Sequence, residues 1–286
     1  MIVSRVLLYI IIGVAWPMVM TAQEHYSGAD STFIVKVLDD ARSLPRSTNF
    51  PLHFARQFMG IPYVAHTLEV CDPERLVVNT RELDCTTLVE NVTALTLCVY
   101  RHLYTWRDYL HTLSEIRYRD GKLEDYTSRL HYFSDWIDNN TRQELVREIQ
   151  DSIPPFTAVQ TLDIHYMSRH PQSYKALRNH PEMIPVIAAQ EEMLTGRCYR
   201  YIPKDKVVGT KAMRSAVRDG DIIAITCNKD GLDIAHLGFA VWRKDGLHLL
   251  NASQLHKKVV EEPMTLRQYL SKHPSHTGIR VIRIVK

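Results

Sequence analysis

Two Asp-Gly pairs constrain the last ninety residues of this 286-residue chain more tightly than any other local signal. Asp230-Gly231 and Asp245-Gly246 separate three apolar runs, at 222–226, 236–242 and 247–252. Asp-Gly supplies the positive φ that short hairpin turns need if their twist is to match that of the flanking strands. The spacing predicts a meander of three antiparallel strands, led in by Gly220-Asp221. Val259-Val260, a short helix over 266–270 and a closing strand over 279–285 extend it.

The first half reads differently. Ser31-Thr32 can cap a helix through Phe33, Val37, Leu38 and Ala41, and a second helix is expected over 51–59, stopped by Gly60. Gly60-Ile61-Pro62-Tyr63 is turn-like and leads into a loop through Cys71-Asp72-Pro73 to Arg81. From Thr86, apolar residues at 88, 89, 92, 95, 97, 99 and 103 surround the helix, which places it inside the core. Thr105 can cap the next helix, which ends at Asp120-Gly121. Residues 121–200 are mixed, with an aromatic stretch at 130–137, a break at Pro154-Pro155, weak strand character over 159–167 and a helix over 181–194. We read them as an insertion that shapes a cleft or as a plain structural excursion. Helices first and an antiparallel meander after them give an α+β fold.

Cys85 stands where the buried helix begins, behind Asp84. Unpaired N–H groups at a helix start, with the macrodipole, favour a thiolate, and thiols so placed can have pKa values of about 3.5–7.5. Cys85 is therefore a candidate nucleophile; the plainer alternative is a small core residue. A cysteine nucleophile needs a base and a group that holds the base's ring. His236, at the mouth of a strand, is the candidate base. On the neighbouring strand alternation puts Leu247, Leu249 and Asn251 on one face and His248 on the other. Asn251 has an amide oxygen to accept from the imidazole, and His248 is its rival.

The formal charge of +3 is spread along the chain, so no basic stripe suggests a nucleic-acid partner. Arg5, the apolar run 6–16 and Met20-Thr21-Ala22 read as a secretory signal over 1–22, the run being too short for a bilayer span. The mature chain, 23–286, is then exported to the periplasm or the medium, with no membrane attachment after cleavage. Five cysteines, at 71, 85, 98, 198 and 227, lack metal-ligand spacing, and their odd number leaves at least one thiol without an intrachain partner.

These residues carry a resemblance. Gly60-Ile61-Pro62-Tyr63, Asp84-Cys85-Thr86-Thr87, Gly220-Asp221-Ile222-Ile223, His236-Leu237-Gly238-Phe239-Ala240 and Asn251-Ala252-Ser253 are similar, in order, to five motifs of the NlpC-type papain-like cell-wall hydrolases. The stretches Leu83–Asn91 and Arg129–Ile137 and the ending from His236 resemble the N-acetylmuramoyl-L-alanine amidase-like family within that superfamily. The resemblance runs from about residue 50 to the C-terminus. It implies a single papain-like domain with Cys85 as nucleophile, His236 as base, Asn251 as orienting residue, Tyr63 near the sulfur and the Cys85 backbone N–H in an oxyanion hole. Thr86-Thr87 stands where the superfamily usually has Ser-Gly, and Asn251 where it most often has His. The implied reaction is hydrolysis of the amide between N-acetylmuramic acid and L-alanine in peptidoglycan fragments, with no metal or cofactor. Cleavage within the stem peptide is the nearest alternative. A non-catalytic peptidoglycan-binding module, stacking ligand on Tyr132, Phe133 and Trp136, is the more distant one.

Overall fold

The computed structural model describes residues 24–150 and 154–286, so the expected signal over 1–22 lies outside the described residues. A two-residue strand β1 (Glu24–His25) pairs in parallel with β2 (Leu76–Val77). Between them lie α1 (Gly28–Arg42) and α2 (Phe50–Gln57). The cap of α1 is Ser27, earlier than the expected Ser31-Thr32. Its hydroxyl and backbone N–H exchange bonds with Asp30, and this reciprocal box satisfies two donors at once. Asn49 caps α2, and Pro51 sits in its first turn, where a missing N–H costs nothing.

Helix α3 (Cys85–Tyr100) is the axis of the molecule. Asp84 and Thr87 form its capping box, and every residue from Thr87 to Val99 is buried. A helix apolar nearly all round must be enclosed, and α3 is packed by α1, α2, α4 (Trp106–Arg117) and the sheet. Thr105 caps α4 as expected. Inside this layer Arg117 is buried, donating to Glu90 at 2.7 Å and to the Val77 carbonyl at 2.6 Å.

The sheet has eight strands in the described residues: β3 (Val146–Ile149), β4 (Ala158–Thr161), β5 (Cys198–Pro203), β6 (Ile222–Cys227), β7 (Ile234–Trp242), β8 (Leu247–Ser253), β9 (Lys258–Glu261) and β10 (His276–Ile284). Their order is β4-β5-β10-β6-β7-β8-β9, with β3 also on β10, and all these pairings are antiparallel. Strand alternation sorts two cores. Leu237, Phe239, Val241, Leu250 and Ala252 join the cluster around α3. Ile223, Ile225, Ala240, Leu247 and Leu249 pack on the other side with α9 (Lys211–Ala216) and α10 (Leu266–Ser271), through Met213, Leu266, Tyr269 and Leu270.

Between α4 and β6 the chain adds α5 (Phe133–Arg142), α6 (Tyr166–Arg169), α7 (Lys175–Asn179) and α8 (Ile184–Leu194). A third cluster, built on Tyr126, Tyr132, Leu162, Ile164, Ile187 and Leu194, holds much of this stretch together. Strand character over 159–167 is confined to β4, and the chain turns at Tyr166 into α6. Strands β3 and β5 from this stretch join the main sheet through β10. Among the described residues, no helix is long and apolar enough to cross a membrane.

Candidate active site

Cys85 is the first residue of α3, so its backbone N–H and that of Thr86 have no carbonyl one turn earlier to bond. Thr87 N–H is taken by the Asp84 carboxylate at 2.8 Å. Cys85 as a residue is half-buried, its thiol faces inward, and the backbone N–H of Leu237 and the Thr86 hydroxyl favour its ionised form. Leu237 follows His236, so α3 begins beside the strand that carries the candidate base.

A register shift in the β6–β7 pairing aims that base. His236 lies opposite Ile225 and Ile234 opposite Thr226, which leaves Ala235 without a partner. The extra residue twists the strand where it meets the helix start. His236 then shares a sheet face with Asn251, and Nε2 lies 3.0 Å from the Asn251 Oδ1. Asn251 is buried and donates its Nδ2 to the Leu249 carbonyl at 3.3 Å, which fixes the amide so that Oδ1 is the acceptor. His236 Nε2 must therefore carry the hydrogen, and Nδ1 is left with its lone pair. His248 is on the opposite face. Its two ring nitrogens meet the Glu262 carbonyl at 2.9 Å and the Asp245 carboxylate at 3.0 Å.

Gly238 makes this strand pair possible. A Cβ there would come within 2.6 Å of the Leu250 carbonyl oxygen and 2.7 Å of the Leu249 side chain. Any larger residue would drive β7 and β8 apart between His236 and Asn251.

The electrostatics reverse one expectation. Burial, followed by the Asp84 carboxylate, pushes the Cys85 thiol up to about 12, and the hydrogen bonds from Leu237 and Thr86 do not offset this. Burial also lowers the His236 imidazole, while the Asn251 bond acts in the opposite direction. Both groups are thus neutral at rest. A helix start favours a thiolate only while solvent or a cation helps to carry the charge.

Tyr63 is held by its backbone N–H, which donates to the Lys257 carbonyl at 2.9 Å, and by a bridge to Leu83. Burial, then Cys85 and Asp84, raises its phenol to about 12, so the hydroxyl keeps its proton. The sequence reading gave no role to Tyr269 on α10. Its ring lies 6.2 Å from that of His236 at 30°, and His273 and His276 pack against it at 4.8 and 6.0 Å. The amphipathic pattern of α10 marks Tyr269 as inward-facing, but nothing in it marks the neighbour as His236. Tyr132, Phe133 and Trp136, considered as stacking surfaces, are buried side chains. The five cysteines are all unbridged.

A pocket of about 150 Å³ opens beside the start of α3. Asp84, Thr86 and Thr87 form one wall, and Arg129, His131 and Tyr174 contribute to the rest. The pocket meets Cys85 through its chain neighbours Asp84 and Thr86, and an uncharged thiol, a neutral base and N–H and O–H donors are the groups that attack on a carbonyl requires. This is the chemistry of acyl transfer.

No curated protein matches the chain. Among solved structures, an N-acetylmuramoyl-L-alanine amidase from Bacteroides uniformis is 43% identical, with 83% of this chain and 98% of that one covered and a TM-score of 0.77. A Bacteroides fragilis protein provisionally called a xylanase is 45% identical, with 82% and 100% covered and a TM-score of 0.76. A Legionella pneumophila protein at 22% identity, with 90% and 95% covered and a TM-score of 0.70, shares the fold. The family model described as N-acetylmuramoyl-L-alanine amidase-like matches residues 53–279, most of the chain and all of the site just described, and the chain belongs to that family.

Proposed function

We propose that the protein hydrolyses the amide bond between N-acetylmuramic acid and L-alanine in peptidoglycan fragments, through a thioester on Cys85. What supports this most is the combination of a bonded His236–Asn251 pair and a cysteine at a helix start in a chain of the amidase-like family. In this reading the molecule is one NlpC-type papain-like domain over 23–286, with an insertion at about 121–200, exported after loss of residues 1–22.

The thiol gives its proton to His236 Nδ1 as Sγ bonds to the lactyl carbonyl carbon. The carbonyl electron pair moves onto oxygen, where the Cys85 backbone N–H and the Tyr63 hydroxyl donate to it. Collapse breaks the C–N bond, and the departing alanine nitrogen takes the proton from His236. Water, deprotonated by the same Nδ1, then adds to the thioester; its collapse releases the muramic acid carboxyl and restores the thiol. Asn251 keeps Nδ1 toward the sulfur by holding Nε2–H, and it does so without a charge.

Glycoside cleavage needs a pair of carboxyl groups flanking the scissile bond. The three carboxylates around the start of α3 are engaged, Asp84 with the backbone N–H and hydroxyl of Thr87, Glu69 with Arg129 and Glu90 with Arg117, so we favour the amide.

Mass spectrometry of N-acetylmuramoyl-L-alanyl-D-isoglutamine with wild type and Cys85→Ala tests the reading. Wild type is expected to release the free dipeptide, and the variant none, with an unchanged melting curve. Cleavage only of longer stems that carry a diamino acid would move the reaction into the peptide. Equal release by both proteins would remove Cys85 from the mechanism.

A further inference from the structure

The segment Leu130–Tyr132 leads into α5 and carries an imidazole to the pocket that Asp84, Thr86 and Thr87 wall at the start of α3. His131 is half-buried there, and its Nε2 lies 2.8 Å from the backbone carbonyl of Tyr126. A carbonyl oxygen can only accept, so Nε2 carries the ring's hydrogen and Nδ1 does not. The Tyr126 ring, 4.3 Å from the imidazole and tilted by 40°, fixes the plane. Nδ1 has no partner among the described residues and is not among the polar atoms sealed from solvent.

The surroundings keep that nitrogen bare. Burial, followed by the Arg129 guanidinium, lowers the imidazole to about 3. Arg129 itself lies over the Tyr126 ring at 4.8 Å and donates to Glu69 at 2.5 Å. Two further polar groups of this wall are committed, Glu69 to Arg129 and the Thr87 hydroxyl to Asp84 at 2.8 Å, while His66, Thr86 and Tyr174 also line the pocket.

We propose that His131 is a specificity residue whose Nδ1 accepts a hydrogen bond from an uncharged N–H or O–H group of the muropeptide in this pocket. The proposal deepens the amidase reading and rests on it. A hydroxyl or side-chain amide in this position could turn to suit either partner; an imidazole tied at Nε2 cannot. It rewards a donor, such as an amide N–H or sugar hydroxyl, and opposes a carboxylate or carbonyl oxygen, which would set lone pair against lone pair.

Two variants separate the ring's two nitrogens. His131→Gln can still donate to the Tyr126 carbonyl from the position of Nε2 but has no acceptor at Nδ1. His131→Asn has an oxygen near the position of Nδ1 but loses the tie to Tyr126. With the muramoyl dipeptide, His131→Gln is expected to raise KM about tenfold at nearly unchanged kcat. His131→Asn is expected to lower the melting temperature while keeping KM within about threefold of wild type. A KM for His131→Gln within twofold of wild type, or an equal rise in both variants, would overturn the proposal. Should His131→Gln not fold, KM of His131→Asn decides alone, a tenfold rise counting against the role. Should wild type release no dipeptide, the amidase reading has failed instead. Calorimetric binding of the same muropeptide to Cys85→Ala and to Cys85→Ala/His131→Gln then decides. Tenfold weaker binding by the double variant upholds the acceptor; equal binding, or none by either, removes it.

Discussion

At the scale of single residues, the proposed nucleophile Cys85 and base His236 set the expected pH behaviour. As the proposed base, His236 must be neutral to take a proton, and burial lowers its pKa below the ordinary 6.5. Activity is therefore expected to rise through an acid limb below pH 6.5 and then stay flat well into the alkaline range, as a kcat/KM profile would record. The thiol, pushed up to about 12, ionises far above that limb. Alkylation of Cys85 by iodoacetamide should climb about tenfold per pH unit from 7 to 10 with no plateau, since thiolate is the reacting species. A plateau near pH 7 would mean an ion pair at rest. Asn251→Ala frees the ring of His236 to turn and removes the bond that raises its pKa. We expect kcat to fall by about 10- to 100-fold and the acid limb to move to lower pH, with KM little changed.

Elements explain which parts of this site the sequence could reveal. The start of α3 was legible because an acid, a cysteine and an enclosed apolar run coincide. Alternation along β8 separates Asn251 from His248 only once the register with β7 is known, and that register depends on the unpaired Ala235. A bulge is a property of two strands together, so one strand's residues do not declare it. The raised thiol was hidden for a similar reason, because the burial comes from chain far away in sequence. Gly238 is the opposite case: a glycine inside an apolar strand signals close approach, and here the neighbour is β8. Gly238→Ala is expected to lower stability by about 1–3 kcal/mol in urea titrations and to reduce kcat as His236 and Asn251 separate.

For the whole molecule, one buried cation fastens α5, β3 and β5 to β10. Arg280 on β10 donates to Glu148 on β3 at 2.5 and 3.0 Å and to the Ser134 hydroxyl on α5 at 2.6 Å, and lies 3.9 Å over the ring of Tyr199 on β5. Arg280→Met leaves Glu148 buried without its cation, and should cost about 3–5 kcal/mol in denaturant unfolding. Adding Glu148→Leu should restore most of that. The α+β class and the order of helices before meander followed from period and turn chemistry. The seat of the closing strand did not, because pairing between distant segments leaves no local signature. Strand β10 lies inside the sheet, with β6 along one edge and β3 and β5 along the other. On a ribosome, none of those three edges can be covered until residue 284 has cleared the exit tunnel. Until then the facing edges of β3, β5 and β6 are bare strand edges, the kind of surface a holding chaperone recognises.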